Sequence, residues 1–387
     1  MPPSTTLHTL ETALRAAASL RRGQVSTAGP KDLYLCVADH FEPWHGRPPR
    51  EVALRRLREW TARYPAMAGF HHDCEGRPPT HTFFYPWDEY DPEELRELAE
   101  LCAGGWGEVE LHLHHRDDTE DSLRDKLRAA VAAFVEHGLL TRWPDGRPAF
   151  GFVHGDWALC NSRGDGGRSY CGVNDELELL AQEGCYADFT FPAWRHTSQP
   201  RLVNRLYFAS SRKDRPGGHL TGLPARVGGG TPGQMLMVQG PLVPHWRRGG
   251  RLPVAVDDGD LGAHHRYHPA RLDAWVRAAI QVQGRPDRLF IKLHCHGAPD
   301  ANRDALLNRD LPALFTDAES RFNDGSRYRL HYLTAREMAN VIWATIDGAE
   351  VSPSEARNYR LASPTAQEGL VPRAPADRSK PVAQIIA

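Results

Sequence analysis

The chain has 387 residues, 41% of them apolar and 25% charged, with a formal net charge of -2. This is the balance of a soluble globular protein with enough material for a sizeable core, and it gives no electrostatic reason to expect nucleic acid or an anionic membrane as partner. Seven cysteines with no C-x-x-C spacing argue against a disulfide framework or a thiolate zinc site and imply a reducing, cytoplasmic setting.

In chain order, residues 1–30 hold a short amphipathic helix with Leu7, Leu10, Leu14 and Leu20 on or near one face, expected to pack on the domain. No apolar run approaches a transmembrane span, and no signal-peptide core stands at the N-terminus. Residues 32–39 read as a buried strand closed by an acid. The loop after it crowds Asp39, His40, Glu42 and His45 between turn signals at Pro43 and Gly46. A helix is expected over 49–64, a strand over 80–85, and a helix from 91 with a capping pattern. The stretch 108–114 alternates polar and apolar residues, so His112 and His114 project from one strand face with Glu110 below them.

A helix over 122–137 follows, then a strand over 149–154 and a long loop carrying His154, Asp156 and Trp157. Next come a helix over 174–184 and a strand over 186–192 with Asp188 in its middle. Regularity fades over 196–262, apart from a short strand at 234–239. It returns with a helix over 269–283, a strand ending in His294-Cys295-His296, a helix near 301–323, a strand over 328–333 and a helix over 334–347. The alternation of strands and helices predicts a parallel α/β fold. Residues 31–348 form its body, 196–262 an insertion, and 349–387 a mostly disordered extension. In a parallel barrel all strand ends open on one face, so Asp39, the two H-x-H pairs, His154 and Asp188 would surround one pocket. Carboxylate and imidazole donors without cysteine suit Zn²⁺ or a similar divalent ion, and hence hydrolysis at a carbonyl.

These motifs, over roughly residues 32–345, resemble the NodB-homology polysaccharide deacetylases, carbohydrate esterase family 4, in a divergent branch with D-H-F-E-P and H-L-H-H motifs. The resemblance implies a distorted (β/α) barrel of about seven parallel strands and one metal held by an Asp and two His. It also implies removal of N-acetyl groups from a carbohydrate or glycoconjugate by an aspartate base and a histidine acid. Carried onto this chain, it makes Asp39, His112 and His114 the metal ligands, with His40 and His115 as alternatives. Glu42 becomes the base, His294 the acid with His296 as runner-up, and Asp188 the acid's orienting partner. His154, Asp156 and Trp157 replace the family's arginine-containing motif, and Trp44 and Trp157 offer ring surfaces to sugars. Two other functions are compatible with the sequence: a two-metal amidohydrolase using both H-x-H pairs, and an inactive barrel that only binds glycan.

Overall fold

A computed structural model describes residues 3–22, 25–26, 28–165, 168–230, 233–246 and 254–364. The predicted body is an α/β fold around a large, mostly parallel sheet. Its strands are β1 (Lys31–His40), β2 (His81–Pro86), β3 (Gly107–Leu113), β4 (Pro148–His154), β5 (Cys185–Asp188), β6 (Leu206–Ala209), β7 (Met235–Val238), β8 (Asp260–Leu261), β9 (Arg288–Cys295) and β10 (Tyr328–Tyr332). From one edge the order is Leu223–Pro224, β6, β7, β5, β4, β3, β2, β1, β9, β8, and β10 pairs with the first half of β1. Both faces of the sheet are covered, which is why β1 is buried from Asp32 to His40 and reads as one apolar run.

Among the described residues the α-helices are α1 (Pro3–Arg22), α2 (Arg50–Ala68), α3 (Pro92–Ala103), α4 (Glu120–Glu136), α5 (Glu176–Gln182), α6 (Pro269–Arg277), α7 (Asp300–Ala305), α8 (Leu311–Phe322), α9 (Ala335–Ile346) and α10 (Pro353–Ala356). Their starts are set by local chemistry. Asp91 accepts from the Glu93 N–H to open α3, and Thr119 and Thr334 form capping boxes for α4 and α9.

Several expectations need correction. Among the described residues the ladder is open, with Leu223–Pro224 at one edge and β8 at the other. After β7 the chain passes close to β9, where a Cβ on Gly240 would lie 2.5 Å from the Lys292 carbonyl. The Gly240 N–H, however, goes to Phe191 (3.1 Å), and Pro241 has no N–H to give. The strand expected over 186–192 stops at Asp188, and the helix expected to reach 283 stops at Arg277, just before Ala279 turns to a φ of 48°. Within 196–262 the expected short strand is β7, and the unexpected β6 pairs with it and extends the main sheet. Finally, α1 packs through Thr9, Thr12, Ala13 and Ala16, while Leu10 and Leu14 are 56% and 63% exposed. Small residues allow the close approach to Val203, Leu242 and Val256 that leucines would block.

The parallel strands end at one edge, and registers such as Ala38 opposite His294 and His112 opposite Val153 bring their last residues level. At the other end all twelve residues of α9 are buried. The Thr334 hydroxyl and the Arg336 guanidinium donate to Glu108 at the start of β3 (2.7 Å each), and Arg336 also donates to the carbonyls of Arg357 and Leu361. Residues 349–364 of the predicted extension are thereby tied to the body; 365–387 lie outside the described residues. Arg336→Ala would leave Glu108 without its cation, so urea unfolding should show a loss of about 3–5 kcal/mol. A loss below about 1 kcal/mol, the worth of a surface pair, would contradict this role.

Candidate metal centre

Alternation along β1 separates its last two residues. Leu33, Leu35 and Val37 face the helix-covered layer, and Tyr34, Cys36 and Ala38 face the inner one. Asp39 follows the first set and His40 the second. The Asp39 carboxylate is fully buried beside Trp60 and accepts from His81 Nε2 (3.0 Å) and the Gly297 N–H (2.6 Å). It does not join His112 and His114 in a common donor group, and this corrects its expected place.

The carboxylate that does so is Glu42, two residues beyond the strand, where the chain has turned back over the inner edge. Oε1 of Glu42 lies 3.1 Å from His112 Nε2 and 3.3 Å from His114 Nε2, while Oε2 lies 3.3 Å from His45 Nδ1 and 3.4 Å from His296 Nδ1. Burial pushes the Glu42 carboxyl up, but the histidines around it, His112 foremost, outweigh burial and hold it well below the usual carboxylate range.

The protons on the two β3 histidines decide what can stand between these groups. His112 Nδ1 lies 3.0 Å from the Val153 carbonyl, which can only accept, so Nδ1 carries hydrogen. His114 Nδ1 lies 3.1 Å from the Asp88 carboxylate, which fixes the same tautomer. Each ring therefore directs Nε2 at one carboxylate oxygen. If that nitrogen is unprotonated, two lone pairs face each other unless a cation sits between them. Two imidazolium rings with centroids 4.6 Å apart are the alternative. Burial holds His112 below its ordinary pKa, whereas for His114 burial is outweighed by Asp88 and Glu42, which raise it to about 10. The donor set of one carboxylate and two backed imidazoles fits a divalent ion.

The remaining predicted residues are distributed around this point. His296 touches Glu42 through Nδ1. The His40 ring lies 5.1 Å from that of His112, 4.8 Å from His296 and 6.1 Å from His294; both its nitrogens are buried and unpartnered. Burial, reinforced by the neighbouring imidazoles, keeps His40 neutral, and burial with Lys292 does the same for His294. Trp157 stands 6.2 Å from His296 and stacks on His196. Trp44 is half-buried in the Glu42 loop.

Three residues lie elsewhere. Asp188 accepts from the Thr190 hydroxyl (2.7 Å) and N–H, with no hydrogen bond to His294 among the described residues; burial pushes it up to about 7. Asp156 is paired with Arg116 at 3.0 Å, and His154 turns into a separate cluster with His115. Asp88, which orients His114, was not singled out in the sequence. An acid two residues past the Pro86 strand stop, on the loop-bearing edge, is the signal that could have found it.

A cavity of about 990 Å³ adjoins the centre, reached past His294, His296 and Trp157 and lined further by Asp257, Asp258 and Arg271. Arg271 there is held by Asp257 (2.6 Å). Four groups of titratable residues among those described are spaced to hold a metal ion; besides the Glu42 group they centre on Asp39, on His115 and on Asp73.

No family model matches the chain, and no curated protein does. Among solved structures it is similar to a provisionally assigned polysaccharide deacetylase from Mycobacterium smegmatis, at 12% identity and a TM-score of 0.41, over 83% of this chain and 96% of that one. That overlap is too loose to transfer any residue or activity.

Proposed function

We propose that this chain is a metal-dependent amide hydrolase that removes an acetyl or related acyl group from a sugar or glycoconjugate. The observation that carries the reading is the pair of Nε2 atoms, on His112 and His114, aimed at one oxygen of Glu42 with their Nδ1 protons spent on Val153 and Asp88. Glu42, His112 and His114 would hold the ion, zinc by the nature of the donors. A bound ion supplies Lewis acidity to an acyl carbonyl and a water nucleophile at neutral pH.

The chain's own residues would do the rest. With Glu42 among the ligands, the base expected there passes to His40, a neutral buried imidazole whose one accepting ring nitrogen is unpartnered. His294 and His296 line the cavity and are placed to return a proton to a leaving amine. Trp157 at the cavity mouth offers a sugar its ring face, and Asp258 and Asp260 offer acceptors to hydroxyls. At this pocket a single ion is favoured over a pair bridging the two H-x-H motifs, because among the described residues His294 has no carboxylate bonded to it. Free cysteines, six of the seven buried, suit a reducing compartment. No described helix is long and apolar enough to cross a membrane.

Competition titration with a chromogenic chelator should show the zinc-binding step of the Glu42 centre lost in Glu42→Ala, weakened about 10–100-fold in Asp88→Asn, and unchanged in Asp39→Asn. Loss in Asp39→Asn with retention in Glu42→Ala would reverse the assignment. Acetate release from N-acetylglucosamine oligomers should stop on chelation and return with zinc. His40→Ala should lower kcat by about 10²–10⁴-fold with zinc content unchanged; a wild-type kcat in that variant would exclude His40 as the base.

A further inference from the structure

On the other side of β3 from Glu42, four buried side chains meet: His115 just past β3, His154 at the end of β4, Cys171 in the loop that follows, and Glu176 at the start of α5. One donor atom from each lies within 4.8 Å of all the others. Glu176 is the hub. Oε1 accepts from His115 Nε2 (3.1 Å), and Oε2 accepts from the Cys160 N–H (2.6 Å) and the Cys171 thiol (3.3 Å). His115 Nδ1 donates to Asp118 (3.1 Å), which is itself held by Lys126 and Ser122. The His115 ring therefore lies between two carboxylates and carries both protons. The Val173 N–H donates to Cys171 Sγ (3.4 Å), a bond that a thiolate accepts better than a thiol.

One atom is left over. His154 is fully buried, and its Nε2 has no hydrogen-bond partner. That nitrogen points into the cluster, 3.9 Å from Glu176 Oε1, and the His154 ring centroid is 4.5 Å from that of His115. A ring nitrogen orphaned in a dry interior is costly to keep, so its retention calls for a partner. In the two other groups the ligand atoms are already engaged: His81 Nε2 is bonded to Asp39, which leaves only the Nδ1 of that ring unpartnered, and Asp73 and Glu75 are bonded to the Arg357 guanidinium.

We infer that His115, His154, Cys171 and Glu176 form a second, closed zinc-type site that pins Cys171 and the start of α5 to the ends of β3 and β4, independent of the Glu42 centre. Imidazole nitrogen, thiolate sulfur and carboxylate oxygen are all donors zinc takes, four protein ligands close its tetrahedral shell, and Asp118 stands behind His115 as the carboxylate such ligands commonly have. The exchange balances. A dication enters, Cys171 releases its thiol proton and His115 its Nε2 proton, and the charge inside the cluster is unchanged. The proton of His154 moves to Nδ1, and the Asp156 N–H that now donates there (3.2 Å) must turn away. The ligands are contributed by residues up to 61 apart in sequence, so no C-x-x-C spacing announces them.

The probe is cobalt(II), added to chelator-stripped full-length protein, because a cobalt–thiolate bond gives a strong near-ultraviolet charge-transfer absorption that histidine and carboxylate ligands do not. The wild-type protein should show that band, Glu42→Ala should keep it, and Cys171→Ser should lose it while Cys295→Ser does not. Absence of the band in cobalt-saturated wild-type protein, or its survival in Cys171→Ser, would overturn the site. Should Cys171→Ser fail to fold, zinc content decides. Glu42→Ala should retain one ion per chain; no ion in that variant overturns the proposal without bearing on the Glu42 centre, and a retained ion with no thiolate band overturns it as well.

Discussion

A carboxylate buried among four imidazoles is the constraint that organises this molecule. Glu42 is 5% exposed, and its two oxygens face His45, His112, His114 and His296. An ionised carboxyl in such a place persists only with positive charge close by. The neighbours can supply it as protons on imidazoles or as one divalent ion. Because Val153 and Asp88 have already claimed the Nδ1 protons of His112 and His114, the second way needs no like charges side by side.

The fold exists to hold those five side chains at one edge. Parallel pairing makes β1, β2, β3, β4, β5 and β9 end together, and the period of two sends alternate residues inward. The opposite end is fixed by ionic contacts, with Arg336 clamping Glu108 at the foot of the strand whose top carries His112. Glu110, between the two, is pushed up to about 8 by burial and bonded to Tyr186 and the Gly151 N–H, so the middle of β3 is polar but satisfied. A slip of one residue in β3 would turn all of these to the wrong face.

Much of this was legible. The alternation at 108–114 gave the shared face of His112 and His114, and the apolar run at 32–39 gave a strand covered on both sides. The same period applied to β1 would have placed Asp39 with Leu33, Leu35 and Val37, away from the histidines, and left Glu42 as the available acid. The family resemblance drew attention to Asp39 instead, because its motif ends there. Other parts were out of reach. Asp88 meets His114 from 26 residues away, and Asp39 is answered by His81 from 42. Such pairings depend on strand order, which a single sequence does not carry. Leu20 of α1 packs as expected, but Leu10 and Leu14 misled for a related reason. Amphipathicity names an apolar face, but the partner surface selected the small one, Ala13 and Ala16.

The central claim is that Glu42, and not Asp39, completes the centre. The most direct test is anomalous diffraction at the zinc edge from crystals of the zinc-loaded protein. The account predicts a peak bounded by Glu42 Oε1, His112 Nε2 and His114 Nε2 at about 2.0–2.2 Å from each. A peak beside Asp39, His81 and Cys295, or none at all between Glu42 and the β3 histidines, would contradict it.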